Sequence, residues 1–512
     1  MSFPSFLHRR KSLLFLFAIL LLGLLVRLPF LELSRFEHEQ VRDIVFSERI
    51  LKGDLVSSGF SAKLGEDSLQ QSFGPFYYYL VALALAFVPP SSYPLAISML
   101  AMILSLLAVL FCYLFCRRYF SERVAVIASL LFSLAPWYVL HASTVLSNGT
   151  ILPFFVILYF YFLSRVIVEG KLVFLIPAAV VLALQTQIHL SSLLLFPVTL
   201  VLLLLYRREV FTNTFFYMGL GSAFVLYIPY LIYNLSRSDL VGAFAFLFAR
   251  YSSTFWTTFV EAVAVPFMFV TPYVGTYLLG TTEIYPMMSV KIVYSVFTVG
   301  LVLLLMVALL SLLWRFFHVK GREQKLLGTL LAWFFVPILL TILSRTNVSP
   351  HYLHVVYPVQ FIALALLFDS FWKRYRGVII SIIVFVSVLY LLFLGIFYVA
   401  VDREGGTTSI YGVPLKYRLA VVDSIKQDAD TLSPPIVYYG SPKRNFTYLF
   451  QISGMAPEVV VINSTAEFTR GYLIFDDFDF YSYGDRAMPA EEKERILALD
   501  GVMIKHIKVI KK

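Results

Sequence analysis

Long apolar runs separated by short basic connectors fill the first four hundred positions of the chain. Runs at about 12–31, 93–116, 124–141, 150–165, 172–188, 190–206, 214–233, 290–314, 326–344, 352–371 and 378–400 are candidates for helices that cross a bilayer. A crossing helix needs roughly 20 apolar residues, and several runs are shorter, so their ends are defined only to within a few residues. Two further runs, 76–90 and 263–280, are interrupted. The first ends in Pro89-Pro90 and the second contains Pro266 and Pro272. Beyond residue 400 the pattern changes. Val437-Tyr438-Tyr439, Val459 to Ile462, Tyr472 to Phe475 and Val502 to Ile510 read as strands, and Tyr417 to Gln427 and Ala490 to Leu499 as helices. The acidic pair Glu491-Glu492 suits the start of the second helix. This divides the chain into a polytopic all-α membrane domain at 1–400, whose first long loop is 32–75, and a small extracytoplasmic α/β domain at 401–512.

Composition narrows the class. The chain is 59% hydrophobic and 14% charged, against about 25% charged in soluble domains, and its mean hydropathy is +0.81. Only a bilayer serves as solvent for such a chain. The net charge of +10 raises the question of nucleic acid, but its distribution excludes it. Segment 401–512 carries 14 Lys and Arg against 15 Asp and Glu, and 32–67 carries 5 against 8. The surplus sits in short connectors: His8-Arg9-Arg10-Lys11, Arg117-Arg118 with Arg123, Arg207-Arg208, Arg315 to Lys325, and Lys373-Arg374-Arg376. Short basic connectors face the cytoplasm. Were both interrupted runs to cross, the connectors at 117–123 and 207–208 would face outward. About eleven crossings with two re-entrant or interfacial pieces satisfy the rule, and the range extends to thirteen. Both counts are odd, so the N-terminus lies inside and the tail outside a cytoplasmic (plasma) membrane. The basic start and the apolar run Leu13 to Val26 resemble a leader peptide, but no small-residue cleavage site follows, so this is read as an uncleaved first span. Cys112 and Cys116 stand one helical turn apart and read as ordinary span residues, with no disulfide framework or cysteine metal site.

The long segments all fall on the outer face, so the chemistry is sought there. The first loop opens Arg35-Phe36-Glu37-His38-Glu39-Gln40-Val41-Arg42-Asp43. Glu39 and Asp43 share a face if the stretch is helical, while Glu37 points elsewhere. A carboxylate directly after a span can be partly desolvated, which raises its pKa and suits a general base. An amphipathic helix lying on the bilayer explains the same spacing. Glu37 and Arg42 join Glu39 and Asp43 as substrate-contact candidates. Glu66-Asp67 form either a second acidic pair or a plain loop. The loop ends Ser72-Phe73-Gly74-Pro75-Phe76-Tyr77-Tyr78-Tyr79, a turn followed by interfacial tyrosines, of which Tyr78 and Tyr79 are candidates. At other outward turns lie Gln187-Ile188-His189, and Arg345 with His351, Tyr352 and His354. The second group can bind an anionic phosphate or anchor the interface. Walker, nucleophile-elbow, Rossmann and paired-histidine metal motifs are absent from the sequence. No cofactor is indicated, and a divalent metal stays open.

In their order along the chain these pieces resemble the polytopic GT-C glycosyltransferases of glycosyltransferase family 39, the protein mannosyltransferase and aminoarabinose transferase type. The matching pieces are Arg27-Leu28-Pro29, Glu39-Gln40-Val41-Arg42-Asp43, Ile50-Leu51-Lys52-Gly53, Gly74-Pro75 with Tyr78-Tyr79, Ala135-Pro136-Trp137, Gln187-Ile188-His189, and His351-Tyr352 leading to Tyr357-Pro358. The resemblance implies a sugar donor carried on a polyprenyl phosphate, a lipid, glycan or protein acceptor, and Glu39 as general base. Arg345 or His351 would supply the cation for the phosphate. The chain departs from the family pattern in three places. Glu39 replaces the usual Asp, Phe73-Gly74 stands where a second carboxylate or a His is common, and His351 replaces an arginine. Two other classes fit a polytopic chain: a transporter or flippase of lipid-linked saccharides, and a non-catalytic envelope assembly protein. A transporter calls for charges at mid-membrane, whereas the acids here cluster at loop ends.

Overall fold

The computed structural model describes residues 3–512 except 57, 59–60, 65–68, 73, 144–146, 237–253, 280–287, 346–347, 407–410, 430–433, 440–443, 463 and 477–489. The helices are α1 (Phe3–Arg27), α2 (His38–Leu51), α3 (Phe76–Leu85), α4 (Tyr93–Tyr119), α5 (Glu122–Leu134), α6 (Pro136–Ser143), α7 (Leu152–Ile167), α8 (Leu175–Ile188), α9 (Leu195–Tyr206), α10 (Thr214–Ser236), α11 (Phe255–Phe269), α12 (Val274–Leu279), α13 (Met288–His318), α14 (Arg322–Ser344), α15 (Tyr357–Glu404), α16 (Leu415–Asp428), α17 (Arg444–Ile452) and α18 (Ala490–Ala498).

The protein is an integral membrane protein. Among the described residues seven helices are long and apolar enough to cross a bilayer, and α5 with α6 reach that length and composition only as a pair, bent by 54° at Ala135-Pro136. The bend follows from proline at the first helical position, which cannot donate to the turn before it. Helix α15 is continuous over 48 residues except at Tyr375, whose backbone is non-helical. A straight helix of that length would reach about 72 Å. Yet Tyr357 packs on Phe269 with ring centroids 5.3 Å apart, and the Tyr390 hydroxyl donates to the carbonyl of Val270, the next residue. The helix therefore doubles back near Tyr375 and forms two arms, as the separate runs 352–371 and 378–400 predict.

Contacts at the helix ends define two faces. On one, Ser12 donates to Glu122 (2.6 Å), Arg118 meets Glu169 (2.6 Å), and Arg123 meets Asp369 (2.8 Å). We call this the basic face. The other carries the C-terminal sheet and is called the domain face. The apolar helices α8 and α9 fall short of the crossing length, and the second arm of α15 runs back toward the start of the first. Helix α3 is too short to cross at 10 residues. Its entry at Gly74 touches Gln187, and the turn after it, Pro90–Ser92, packs on α17 of the C-terminal unit. Both ends of α3 thus lie on the domain face. In α11 Glu261 accepts from the Val348 amide, and in α12 the Leu278 carbonyl accepts from the Tyr411 amide.

The C-terminal residues form a five-stranded sheet of β3 (Ile436–Tyr439), β4 (Val459–Ile462), β5 (Tyr472–Asp476), β6 (Val502–Ile504) and β7 (Ile507–Lys511), in the order β4-β3-β5-β7-β6. Strand β3 runs parallel to β4 and β5, while β7 runs antiparallel to β5 and β6. The single strand expected at 502–510 is instead a hairpin. It turns at Lys505, which adopts a left-handed φ of 55°. A second small sheet pairs β1 (Ser61–Leu64) with β2 (Leu69–Ser72) in the first loop. The apolar core runs without a break from the membrane helices through Tyr411, Val413 and Leu415 into Val421 and Phe446 of the C-terminal unit.

Candidate active site

Helix α2 organises the first loop. It begins at Glu37, whose amide donates to Oε1 of Gln40 three residues on (2.8 Å), a reciprocal arrangement that stabilises a helix start. Glu39 and Asp43 lie one turn apart on this helix and have different surroundings. Glu39 is exposed, whereas Asp43 is 2% exposed. Oδ1 of Asp43 accepts from Nε and Nη2 of Arg42 at 2.9 and 2.8 Å, and the Tyr77 hydroxyl also bonds to Asp43. Burial nonetheless dominates, against the pull of Arg42, and pushes the Asp43 carboxyl up to about 6. Glu39 acts electrostatically on Arg42, on Asp43 and on His351 of a distant turn.

Glu37 faces away from this pair, toward the C-terminal unit. Its carboxylate accepts from Nη2 of Arg418 and from Nδ2 of Asn445 (3.1 Å). Arg418 is fully buried and also donates to Asp476 (3.0 Å) and to the Val413 carbonyl (3.3 Å). Gly412, at φ +69°, makes room for the arrangement, since a Cβ there would stand 2.8 Å from Oε1 of Glu37. The Leu415 amide donates to the Ser34 carbonyl (2.8 Å) and Tyr448 donates to Glu48 (2.8 Å), so α2 is docked along its length.

Three turns of the membrane domain meet beside α2. Gly74 lies so close to Gln187 that a Cβ would stand 2.5 Å from the Gln187 Cβ, and Nε2 of Gln187 donates to the Leu226 carbonyl (3.0 Å). The neighbouring His189 packs edge-on against His351 (centroids 5.3 Å apart) and at a tilt against Tyr352 (5.8 Å). Its Nδ1 accepts from the Ser191 amide (3.2 Å), which leaves the ring proton of the neutral form on Nε2. His354 is fixed on both sides: Nε2 accepts from the Trp137 indole (3.0 Å) and Nδ1 bonds to the Gly149 carbonyl (2.9 Å). Trp137 stacks on His141 at 4.5 Å. Four of the eight histidines thus line one wall. Arg345 is exposed at the end of α14 in a left-handed conformation, φ 53°, a backbone cost of roughly 1 kcal/mol or more for a residue other than glycine. Nε of Arg35 is buried without a hydrogen-bond partner among the described residues, and its charge reaches Tyr277, which bonds to Ser349 in the same turn region as His351. Among the described residues no group of three or more His, Cys, Asp or Glu side chains could hold a metal ion.

Comparison with known proteins fits this architecture. The structure superposes on ArnT from Cupriavidus metallidurans in the apo state with a TM-score of 0.57, covering 98% of each chain at 12% sequence identity. It superposes on the same protein bound to undecaprenyl phosphate with a TM-score of 0.56, covering 97% of each chain at 11% identity. The chain has a GT-C fold. The sequence profile of the dolichyl-phosphate-mannose-protein mannosyltransferase family matches residues 72–233 of this GT-C chain. No curated protein sequence matches it.

The matched segment includes Tyr78, Tyr79, Gln187 and His189 but begins after α2 and ends before Arg345. The acids of the GT-C chain therefore stand outside it, and only geometry brings them to the matched part. Tyr78 is buried against Phe46 of α2 (centroids 5.0 Å apart), and Tyr79 is half-buried. Glu66, Asp67 and Phe73 lie outside the described residues. Four contributors escaped the sequence reading: Tyr77 under Asp43, Arg418 and Asn445 under Glu37, and His141 behind Trp137. An isolated buried arginine in the tail gives no pattern to detect. The tyrosine run and Trp137 with His141 at helical spacing were visible, and the choice of the inward members was not.

Proposed function

We propose that this protein is a membrane glycosyltransferase that moves a sugar from a polyprenyl-phosphate carrier to an acceptor hydroxyl or amine at the domain face. The reading rests on one juxtaposition: an exposed carboxylate, Glu39, one helical turn from a buried and tethered one, Asp43, opposite the His351 turn. The GT-C fold, the partial mannosyltransferase profile and the undecaprenyl phosphate held by ArnT all favour a lipid-linked donor. In the proposed step the acceptor oxygen or nitrogen bonds to the sugar anomeric carbon. The bond from that carbon to the phosphate oxygen breaks, its electron pair leaves with the polyprenyl phosphate, and the acceptor proton passes to Glu39. Asp43, with Arg42 and Tyr77, positions the helix face. Arg35 and Arg345 offset the charge on the departing phosphate. Glu37 belongs to the docking of the C-terminal unit. The basic face is cytoplasmic and the domain face is extracytoplasmic, in a plasma membrane, following the charge rule.

The test is sugar transfer by purified protein in liposomes supplied with radiolabelled polyprenyl-phosphate sugars and membrane-lipid acceptors. Glu39→Gln is expected to lower the rate by about 10²-fold or more. Unchanged transfer would falsify Glu39 as base. Movement of the labelled lipid between leaflets without transfer would favour a flippase instead.

A further inference from the structure

A polar cavity lies at the opposite end of the bundle, far from the acids of α2. It is a cleft of about 570 Å³ on the basic face, lined by Leu114, Arg117, Arg118, Tyr161, Glu169 and Arg322. The lining comes from the ends of α4 and α7, the connector after α7, and the first residue of α14. Leu114 and Tyr161 belong to spans, so the cleft opens at the membrane boundary. Three arginines there face one carboxylate. Glu169 is already engaged by Nε and Nη2 of Arg118 (2.6 and 2.9 Å) and by Arg165 (3.0 Å). Arg117 is partly offset by Glu122 at 3.1 Å, but Glu122 also accepts from Ser12 and Tyr113. Arg322 forms no ion pair among the described residues. It opens α14, where a cation opposes the helix dipole, so its charge does nothing for its own helix. The cleft is therefore a concave pocket whose lining sets three arginines against one carboxylate, beside the span residues Leu114 and Tyr161.

We propose that this cleft binds the phosphate headgroup of an anionic phospholipid, with Arg322 and Arg117 on the phosphate and Arg118 held in place by Glu169. Planar guanidinium groups pair with phosphate through two parallel hydrogen bonds, and basic pockets at the ends of spans recruit such headgroups. The assignment does not depend on sugar transfer.

The experiment measures thermal unfolding of the purified full chain in detergent micelles doped with phosphatidylglycerol, with phosphatidylcholine, or with inorganic phosphate and no added lipid. Phosphatidylglycerol is expected to raise the midpoint, and phosphatidylcholine is not. In Arg322→Gln the phosphatidylglycerol concentration for half-maximal stabilisation should rise about fivefold, and Arg322→Lys, which keeps the charge but loses the planar fork, should fall between Arg322→Gln and wild type. Since Arg322 is exposed and opposes its helix dipole, Arg322→Gln should fold normally, and its midpoint without lipid reports that directly. Equal stabilisation by both lipids, or an unchanged phosphatidylglycerol response in Arg322→Gln, overturns the site. An equal shift from inorganic phosphate alone overturns the lipid assignment.

Discussion

Glu37 and Glu39 stand two residues apart at the start of one helix and live in opposite surroundings. Glu37 is buried against Arg418 and Asn445, with Asp476 completing the group. Glu39 is exposed toward the His351 turn. A buried, fully paired carboxylate costs much to break and is poor at exchanging protons with a substrate. An exposed one contributes little to stability and is free to do so. The same residue type therefore serves as a joint on one side of α2 and as a chemical group on the other. The largest expected effects separate the two. Arg418→Ala leaves Glu37 and Asp476 buried without their cation, and should cost about 3–5 kcal/mol of stability by denaturant or thermal unfolding. Glu39→Gln should leave the unfolding midpoint within about 0.5 kcal/mol of wild type while abolishing most transfer. If the two variants show the same pattern of loss, the division of labour along α2 is wrong.

That division was only half legible in the sequence. The spacing of Glu39 and Asp43 predicts a shared helix face, and α2 places them on one. The partner of Glu37 lies 381 positions away, and no local pattern connects the two. The membrane spans were legible because the bilayer forces backbone groups to pair within each segment, which writes each crossing as a long apolar run. Even the fold-back of α15 shows as two runs separated by Lys373-Arg374-Arg376. The C-terminal unit was read less well. Helix α17 is short and rich in aromatic residues, and its apolar positions Phe446, Leu449 and Phe450 carry the helical spacing only briefly. The 502–511 hairpin turns on Lys505, a residue type that does not announce a left-handed turn.

Asp43 sharpens the comparison through pH. Its carboxyl is raised to about 6, above the value near 3.9 of an unfolded chain. The folded state thus holds the proton more tightly between those values, and stability falls as pH rises from about 4 to about 6 and then levels off. The gap between the folded and unfolded values corresponds to roughly 3 kcal/mol. Unfolding midpoints of wild type and Asp43→Asn across this window give the measurement. The wild type should lose stability relative to the variant as pH rises, and parallel profiles would mean that Arg42 and Tyr77 fully offset burial. Gly74→Ala probes the turn that packs against Gln187. Its Cβ would meet Gln187 at 2.5 Å, so α3 or the 187–189 turn must move, at about 1–3 kcal/mol. Transfer should fall along with stability, because the histidine wall shifts with Gln187.

The smallest effect tests how far the joint extends along α2. Tyr448 donates to Glu48 at 2.8 Å, about three turns beyond Glu37, and its ring lies 6.4 Å from Phe36. Tyr448→Phe keeps the ring and removes one hydrogen bond to a charged group, for about 1.5–3 kcal/mol if the bond is shielded and about 1 kcal/mol or less where water replaces it. Glu48 is half-exposed, so the lower figure applies. The Glu39 side should not feel this change: transfer by Tyr448→Phe should equal wild type at temperatures well below unfolding. A drop in transfer without a drop in midpoint would show that the docking of α2 tunes the chemistry directly, and the joint and the reactive face would then have to be treated as one device.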